Sequence, residues 1–213
     1  MTEKENLLSL VSIEVLISQV RINLDLECHL PCIVFRLLDY PAVSISYFDQ
    51  WQIEEFHQSK KTHPNLSWKQ CLSDQFYELR SANGHFKFNR GKSCLFKTYF
   101  TTLHNHLLNV PLFLLLIDQI NDVSSSSNTN ATHFIGSGNV KLDELIEILN
   151  QSIVKHGHDV PLVEQQTFHC TLFNLMGTSI GYCDVAVRFC HYGTTILTQL
   201  PMFDESFTTK PNE

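Results

Sequence analysis

Apolar residues along this chain recur most often at every second position, the period of a half-buried β-strand. From Ser9 to Ile17 they hold odd positions (Val11, Ile13, Val15, Ile17); from Val20 to Leu26 they hold even ones, with Arg21, Asn23, Asp25 and Glu27 opposite. One inserted residue moves an apolar set from one parity to the other, so the change of phase predicts a β-bulge near residues 18–20. Pro31 is expected to close this first strand. Ile33 to Leu38 reads as a second strand, closed by Asp39-Tyr40-Pro41, and Val43 to Phe48 as a short third. Residues 49–84 lose the period, with Trp51, Phe56, Trp68, Phe76 and Tyr77 scattered among polar residues. An insertion holding one or two short helices is predicted there.

Beyond the turn dipeptide Asn83-Gly84, Phe86 to Thr98 alternates again around the polar centre Asn89-Arg90-Gly91-Lys92. Phe100, Leu103 and Leu107 place a short helix within Tyr99 to Asn109. Leu112 to Ile117 is apolar at every position, which predicts a strand covered on both faces. Asn121 to Thr132, with four consecutive serines, predicts a mobile surface loop. Phe134 to Val140 resumes as a strand, and Leu142, Leu145, Ile146, Leu149 and Ile153 trace one helical face ending at Gly157. Phe168 to Phe189 reads as a hairpin turning at Met176-Gly177-Thr178. Seven or eight strands, two or three short helices and no βαβ rhythm predict an all-β antiparallel sandwich. One domain is expected over residues 1–203, with a disordered tail at 204–213.

At 213 residues the chain is long enough for one self-sufficient core. Its net charge of −7 disfavours nucleic acid as a partner. The 15 phenylalanines suit a large core and also a covered partner surface. The apolar stretch Leu7 to Val20 is preceded by Glu3, Lys4 and Glu5, interrupted by Glu14 and followed by no small-residue cleavage site, so it does not read as a signal peptide. The longest apolar run, Val110 to Ile117, is far short of the ~20 residues that span a bilayer. Seven cysteines, an odd number without framework spacing, point to a reduced, cytosolic chain.

Candidate chemistry is sparse. Gly91-Lys92-Ser93 resembles the end of a phosphate-binding loop, but Phe86 stands where that motif needs glycine, and a strand follows where a helix N-terminus is required. Cys28 with Cys32, His104 with His106, and His156 with His158 are possible zinc ligands, yet no second pair stands at knuckle spacing. His104 and His106 fall on different faces of a short helix. Cys170 and His169 alternate to opposite strand faces, a core thiol beside a surface imidazole, and no glycine-flanked elbow presents a serine. Asp118, Asp122 and Asp39 supply too little charge for tight calcium binding. No catalytic residue, cofactor or metal is therefore expected. Arg90, Lys92 and Lys97 form the most conspicuous local positive charge and are the candidate partner-binding residues.

Several segments together resemble a known family: Phe88-Asn-Arg-Gly-Lys-Ser-Cys-Leu-Phe96, Pro111-Leu-Phe-Leu-Leu-Leu-Ile-Asp118, Phe134-Ile-Gly-Ser-Gly-Asn-Val-Lys-Leu142, Ile33-Val-Phe-Arg-Leu-Leu-Asp-Tyr-Pro41 and the hairpin Phe168 to Phe189. They are similar to the N-terminal, C2-like domain of the microtubule-associated protein 10 family. The resemblance covers nearly the whole chain apart from 49–84 and the tail. It implies a C2-like β-sandwich of about eight strands in a cytoskeletal protein of microtubules, spindle poles and the midbody, supporting microtubule organisation and cytokinesis. The implied partner is tubulin or another microtubule-associated protein. The family's long C-terminal region would begin where this chain ends, so the chain is expected to be that one domain. A microtubule surface is acidic and repels a chain of net charge −7, so either the local patch of Arg90, Lys92 and Lys97 overcomes that repulsion or the chain meets microtubules only through another protein. Two other readings compete: a peripheral lipid-binding C2 domain, disfavoured by the lack of Lys or Arg in Asp118 to Thr132, and a scaffold binding a centrosomal or ciliary protein through the aromatic insertion.

Overall fold

The longest strand, β1 (Leu8–Ile22), organises the rest of the chain. The structure is a computed structural model that describes residues 8–23, 25–26, 28–63, 65, 84–120 and 133–194. Along one side β1 pairs antiparallel with β9 (Ser179–His191); along the other it pairs with β5 (Arg90–Tyr99) and, at its end, β4 (His85–Phe86). Its register against β9 shifts between Ile17 and Gln19, the predicted bulge. The extra residue, Ser18, lets Ile17 and Val20 both enter the core despite their opposite parity.

The remaining strands are β2 (Pro31–Arg36), β3 (Val43–Ser46), β6 (Leu112–Asp118), β7 (His133–Val140) and β8 (Leu162–Phe173). Hydrogen bonds link them in the order β3-β2-β6-β7-β8-β9-β1-β4, every pair antiparallel. The sheet is mechanically two layers, because β7 and β8 meet at one residue pair, Ser137 with Phe173. Gly136 and Gly138 flank that crossing, and a Cβ on Gly138 would lie 2.5 Å from Cys170 Sγ and 2.7 Å from the Thr171 carbonyl oxygen. Only glycine admits so close an approach. Around this junction the sheet curls, and Ile13, Val15, Val187 and Phe189 of one layer share a core with Ile33, Phe35, Leu114 and Leu116 of the other. The antiparallel sandwich is as predicted, with nine strands among the described residues once the two-residue β4 is counted.

Among the described residues three helices occupy connections: α1 (Gln50–Thr62), α2 (Phe100–Leu107) and α3 (Asp143–His156). The apolar positions foreseen in α3 are the buried ones, Leu145, Ile146, Leu149 and Ile153. Asp143 and Glu144 in its first turn and Lys155 and His156 in its last complement the helix dipole. Ser152 Oγ donates to Glu164 at 2.8 Å and Gln166 Nε2 to Glu144 at 3.0 Å, tying α3 to β8. No helix among the described residues is long and apolar enough to cross a membrane. The later part of the predicted insertion (66–83), the serine-rich segment 121–132 and the tail lie outside the described residues.

Two sequence expectations are corrected. Pro31 opens β2 instead of closing β1, which already stops at Ile22. The buried Asp118 carboxylate accepts the N–H groups of His29 and Leu30, both at 2.8 Å, and so pins the turn into β2. Pro31 then stands at a strand's first position, where its missing N–H costs least. Strand β6 is not covered on both faces: Leu112, Leu114 and Leu116 are fully buried, whereas Phe113 and Leu115 are 48% and 40% exposed. Coverage on both faces needs crossover helices outside the sheet, and an antiparallel sandwich covers a strand from the inside only.

Candidate partner-binding surface

Strand β5, Arg90-Gly-Lys-Ser-Cys-Leu-Phe-Lys-Thr-Tyr99, contains three cations and no carboxylate. Among the described residues it pairs with β1 alone, so its other side has no strand partner among them. Register fixes which way each residue faces. Arg90, Lys92, Cys94 and Phe96 stand opposite Ile17, Val15, Ile13 and Val11, the core-facing residues of β1. Gly91, Ser93, Leu95 and Lys97 stand opposite Leu16, Glu14, Ser12 and Leu10 on the outer side. The three predicted cations therefore do not share a face: Arg90 and Lys92 project on one side of the edge and Lys97 on the other.

Their surroundings differ as well. Arg90 is half-buried, and its Nη1 donates to Asp49 Oδ1 at 2.6 Å. That bond and the charge behind it hold the Asp49 carboxyl below the usual carboxylate range. Asp49 precedes α1, and its own N–H donates to Gln52 Oε1 at 2.8 Å. Arg90 thus clips the start of α1 to the edge strand. Lys92 and Lys97 are exposed. Lys92 borders two grooves. One, of about 450 Å³, separates β3 from β5 and is lined by Ser44, Ser46, Asp49 and Arg90. The other, of about 490 Å³, lies on the outer face along Glu14, Leu16, Gln165 and Arg188. Leu95, 62% exposed, sits on the outer face between Ser93 and Lys97. On the inner face Phe96 packs on Tyr40, ring centres 4.6 Å apart, which steadies the edge from within.

The side chains weighed for catalysis point to opposite faces, each with its own partner. His169 Nδ1 lies 2.7 Å from Asp184 Oδ1, Gln19 donates to the other oxygen at 2.5 Å, and His85 reaches Gln19 Oε1 at 2.5 Å, a polar ladder across the outer face. Cys170 points the opposite way, as its alternation with His169 required, and donates to the Asn139 carbonyl at 3.4 Å. Burial raises the thiol pKa of Cys28, Cys32, Cys170 and Cys183, which favours their protonated form. Gly91-Lys92-Ser93 lies within β5, which runs on to Tyr99 before the helix begins at Phe100, so it cannot cradle a phosphate as a loop would. His104 is engaged by Glu147 Oε2 at 2.9 Å, while His106 is exposed.

Sequence reasoning missed one surface feature, the tip of the β8–β9 hairpin. Leu175 and Met176 are 84% and 87% exposed there, on a turn held by Asn174 Oδ1, which accepts the N–H groups of Met176 at 3.0 Å and Thr178 at 2.9 Å. Two large apolar residues beside Gly177 were the legible signal.

Fold and surface together define an antiparallel β-sandwich module, with Lys92 and Lys97 exposed on a strand that pairs with β1 alone among the described residues. Within that class the chain belongs to the family described as Microtubule associated protein 10, N-terminal domain, whose model matches residues 25–193. Membership makes it a module of a microtubule-associated, cytoskeletal family. No curated protein matches it. Among solved structures it is similar to a C2 domain of plant Extended Synaptotagmin 1, with 10% identity, a TM-score of 0.43, and coverage of 87% of this chain and 95% of that one. It is also similar to CC2D1B, described as coordinating ESRCT-III activity during the mitotic reformation of the nuclear envelope, with 9% identity, a TM-score of 0.43, and coverage of 83% of this chain and 54% of that one.

Proposed function

We propose that this chain is a non-catalytic, calcium-independent C2-like module that meets the microtubule, or a protein bound to it, through strand β5. On this reading it works in the cytoplasm at microtubules, spindle poles and the midbody, and supports microtubule organisation and cytokinesis. The observation that carries the reading is that Lys92 and Lys97 stand exposed on a strand that itself has no carboxylate, in a chain of net charge −7. A locally cationic edge steers an overall acidic module onto an acidic surface and sets its orientation. Co-sedimentation with microtubules tests this. The chain should pellet at low salt, lose binding as salt rises, stay in the supernatant as the K92E/K97E variant, and be indifferent to calcium. Failure to pellet at low salt would reject the reading.

Peripheral lipid contact is the second reading, and the exposed Leu175-Met176 tip favours it. Such a tip inserts at a membrane interface when anionic lipid holds the module nearby. Flotation with phosphatidylserine vesicles, compared between the native chain and L175S/M176S, decides it: binding that the substitution leaves unchanged would exclude the tip.

A further inference from the structure

The open edge of β5 suggests how the partner is held. In an antiparallel pair every second residue turns its N–H and C=O away from its neighbour. Along β5 those groups face outward with no ladder partner among the described residues. Such an edge invites another strand, and lysines are a common means of keeping a second copy away. Lys92 and Lys97 do that here, because two β5 strands side by side would bring like charges together. The same charges favour a strand that carries carboxylates.

We infer that β5 takes up an extended acidic segment of another protein as an added strand, with Lys92 and Lys97 selecting its carboxylates. Register specifies the segment. Residues directly opposite one another share a face, so a carboxylate across from Lys92 lies on the inner side, beside the β3–β5 groove, and one across from Lys97 on the outer side. An apolar residue across from Leu95 covers the exposed leucine. Read antiparallel to β5, the segment is acid-x-apolar-x-x-acid; read parallel, it is the reverse. Its span is about 17 Å, five steps of strand rise. Polyanion attraction alone would need no such spacing and no backbone donors.

The inference rests on the proposed function only for the partner's acidic character. The probe is the peptide Thr-Thr-Glu-Thr-Val-Thr-Thr-Glu-Thr-Thr, compared with the same peptide N-methylated at alternate residues and with a control in which both glutamates are glutamines. With the isotopically labelled full chain, the plain peptide should slow amide exchange at alternate residues between Gly91 and Thr98. N-methylation on the ladder-facing side should weaken binding at least about tenfold, the expectation for losing two or three hydrogen bonds. The glutamine control and the K92E/K97E variant should each abolish binding, the latter with an unchanged far-ultraviolet circular dichroism spectrum. Equal binding of plain and methylated peptides, absence of β5 protection, or no binding at all would overturn the inference. Microtubule co-sedimentation run in parallel separates the two claims. A chain that pellets but ignores the peptide keeps the proposed function and loses the added strand. A chain that binds the peptide but does not pellet keeps the strand and loses the function.

Discussion

His191, near the end of β9, is fully buried, with Phe100 edge-on at 5.5 Å between ring centres and His158 at 6.2 Å. Neither ring nitrogen makes a hydrogen bond of ordinary geometry among the described residues. Burial, reinforced by His158, pushes its pKa down to about 4, although the Val160 backbone and the Asp159 carboxylate pull the other way. In the unfolded chain the ring titrates near its ordinary 6.5. Above pH 6.5 it is neutral in both states and adds no pH dependence. As pH falls below 6.5 the unfolded chain takes up a proton that the folded chain refuses, so stability declines. The decline levels off below about pH 4, where the folded ring is protonated too. At 1.36 kcal/mol per pKa unit, the loss is about 2 kcal/mol by pH 5 and about 3 kcal/mol by pH 4. Urea unfolding of the native chain and of His191→Phe, at intervals from pH 7.5 to 4.5, isolates this contribution, because every other titrating group is common to both. The native chain should lose about 2 kcal/mol more than the variant between pH 7.5 and 5. Parallel pH profiles would refute the reasoning and mean that the ring is hydrated or already partnered.

Three further outcomes follow from the packing. Leu114→Asp should unfold the chain, since an unpaired buried carboxylate costs several kcal/mol, while Leu115→Asp should shift thermal unfolding little; similar losses for both would contradict one-sided burial of β6. Gly138→Ala should destabilise by about 1–3 kcal/mol through overpacking against Cys170 and the Thr171 carbonyl, as read from the melting temperature, and an unaltered value would mean that β7 and β8 are not so closely crossed. Asp118→Ala, which strips the acceptor from two buried N–H groups, should cost about 2 kcal/mol or more, with Asp118→Asn recovering part of it; equal chemical denaturation curves for all three proteins would remove Asp118 from its pinning role.

The strands were legible because an antiparallel layer buries one side of each, and burial on one side imprints period two. The reversal of parity between Ile17 and Val20 even located the bulge. The same logic failed at β6, where the residues facing outward are as apolar as those facing inward, so composition suggested two covers where the sandwich provides one. Pro31 was misplaced because the acceptor that turns the chain into β2 is Asp118, 88 positions beyond its partner Leu30. At the candidate site, the type of charge was readable and its arrangement was not. Arg90, Lys92 and Lys97 look like one patch in sequence, yet the β1–β5 register divides them between two faces and Asp49 engages the first.

By itself, then, the sequence determined the all-β class, the order of the strands and helices, the inward-facing setting of Cys170 and the presence of a cationic strand in an acidic chain. These are local properties, written in the spacing of side chains along one element. Tertiary structure decided that β5 pairs with β1 alone among the described residues, that Arg90 pairs with Asp49 and that Lys92 and Lys97 project on opposite faces. Each of those depends on which strand pairs with which, and pairing joins residues too far apart in the chain for any local pattern to record.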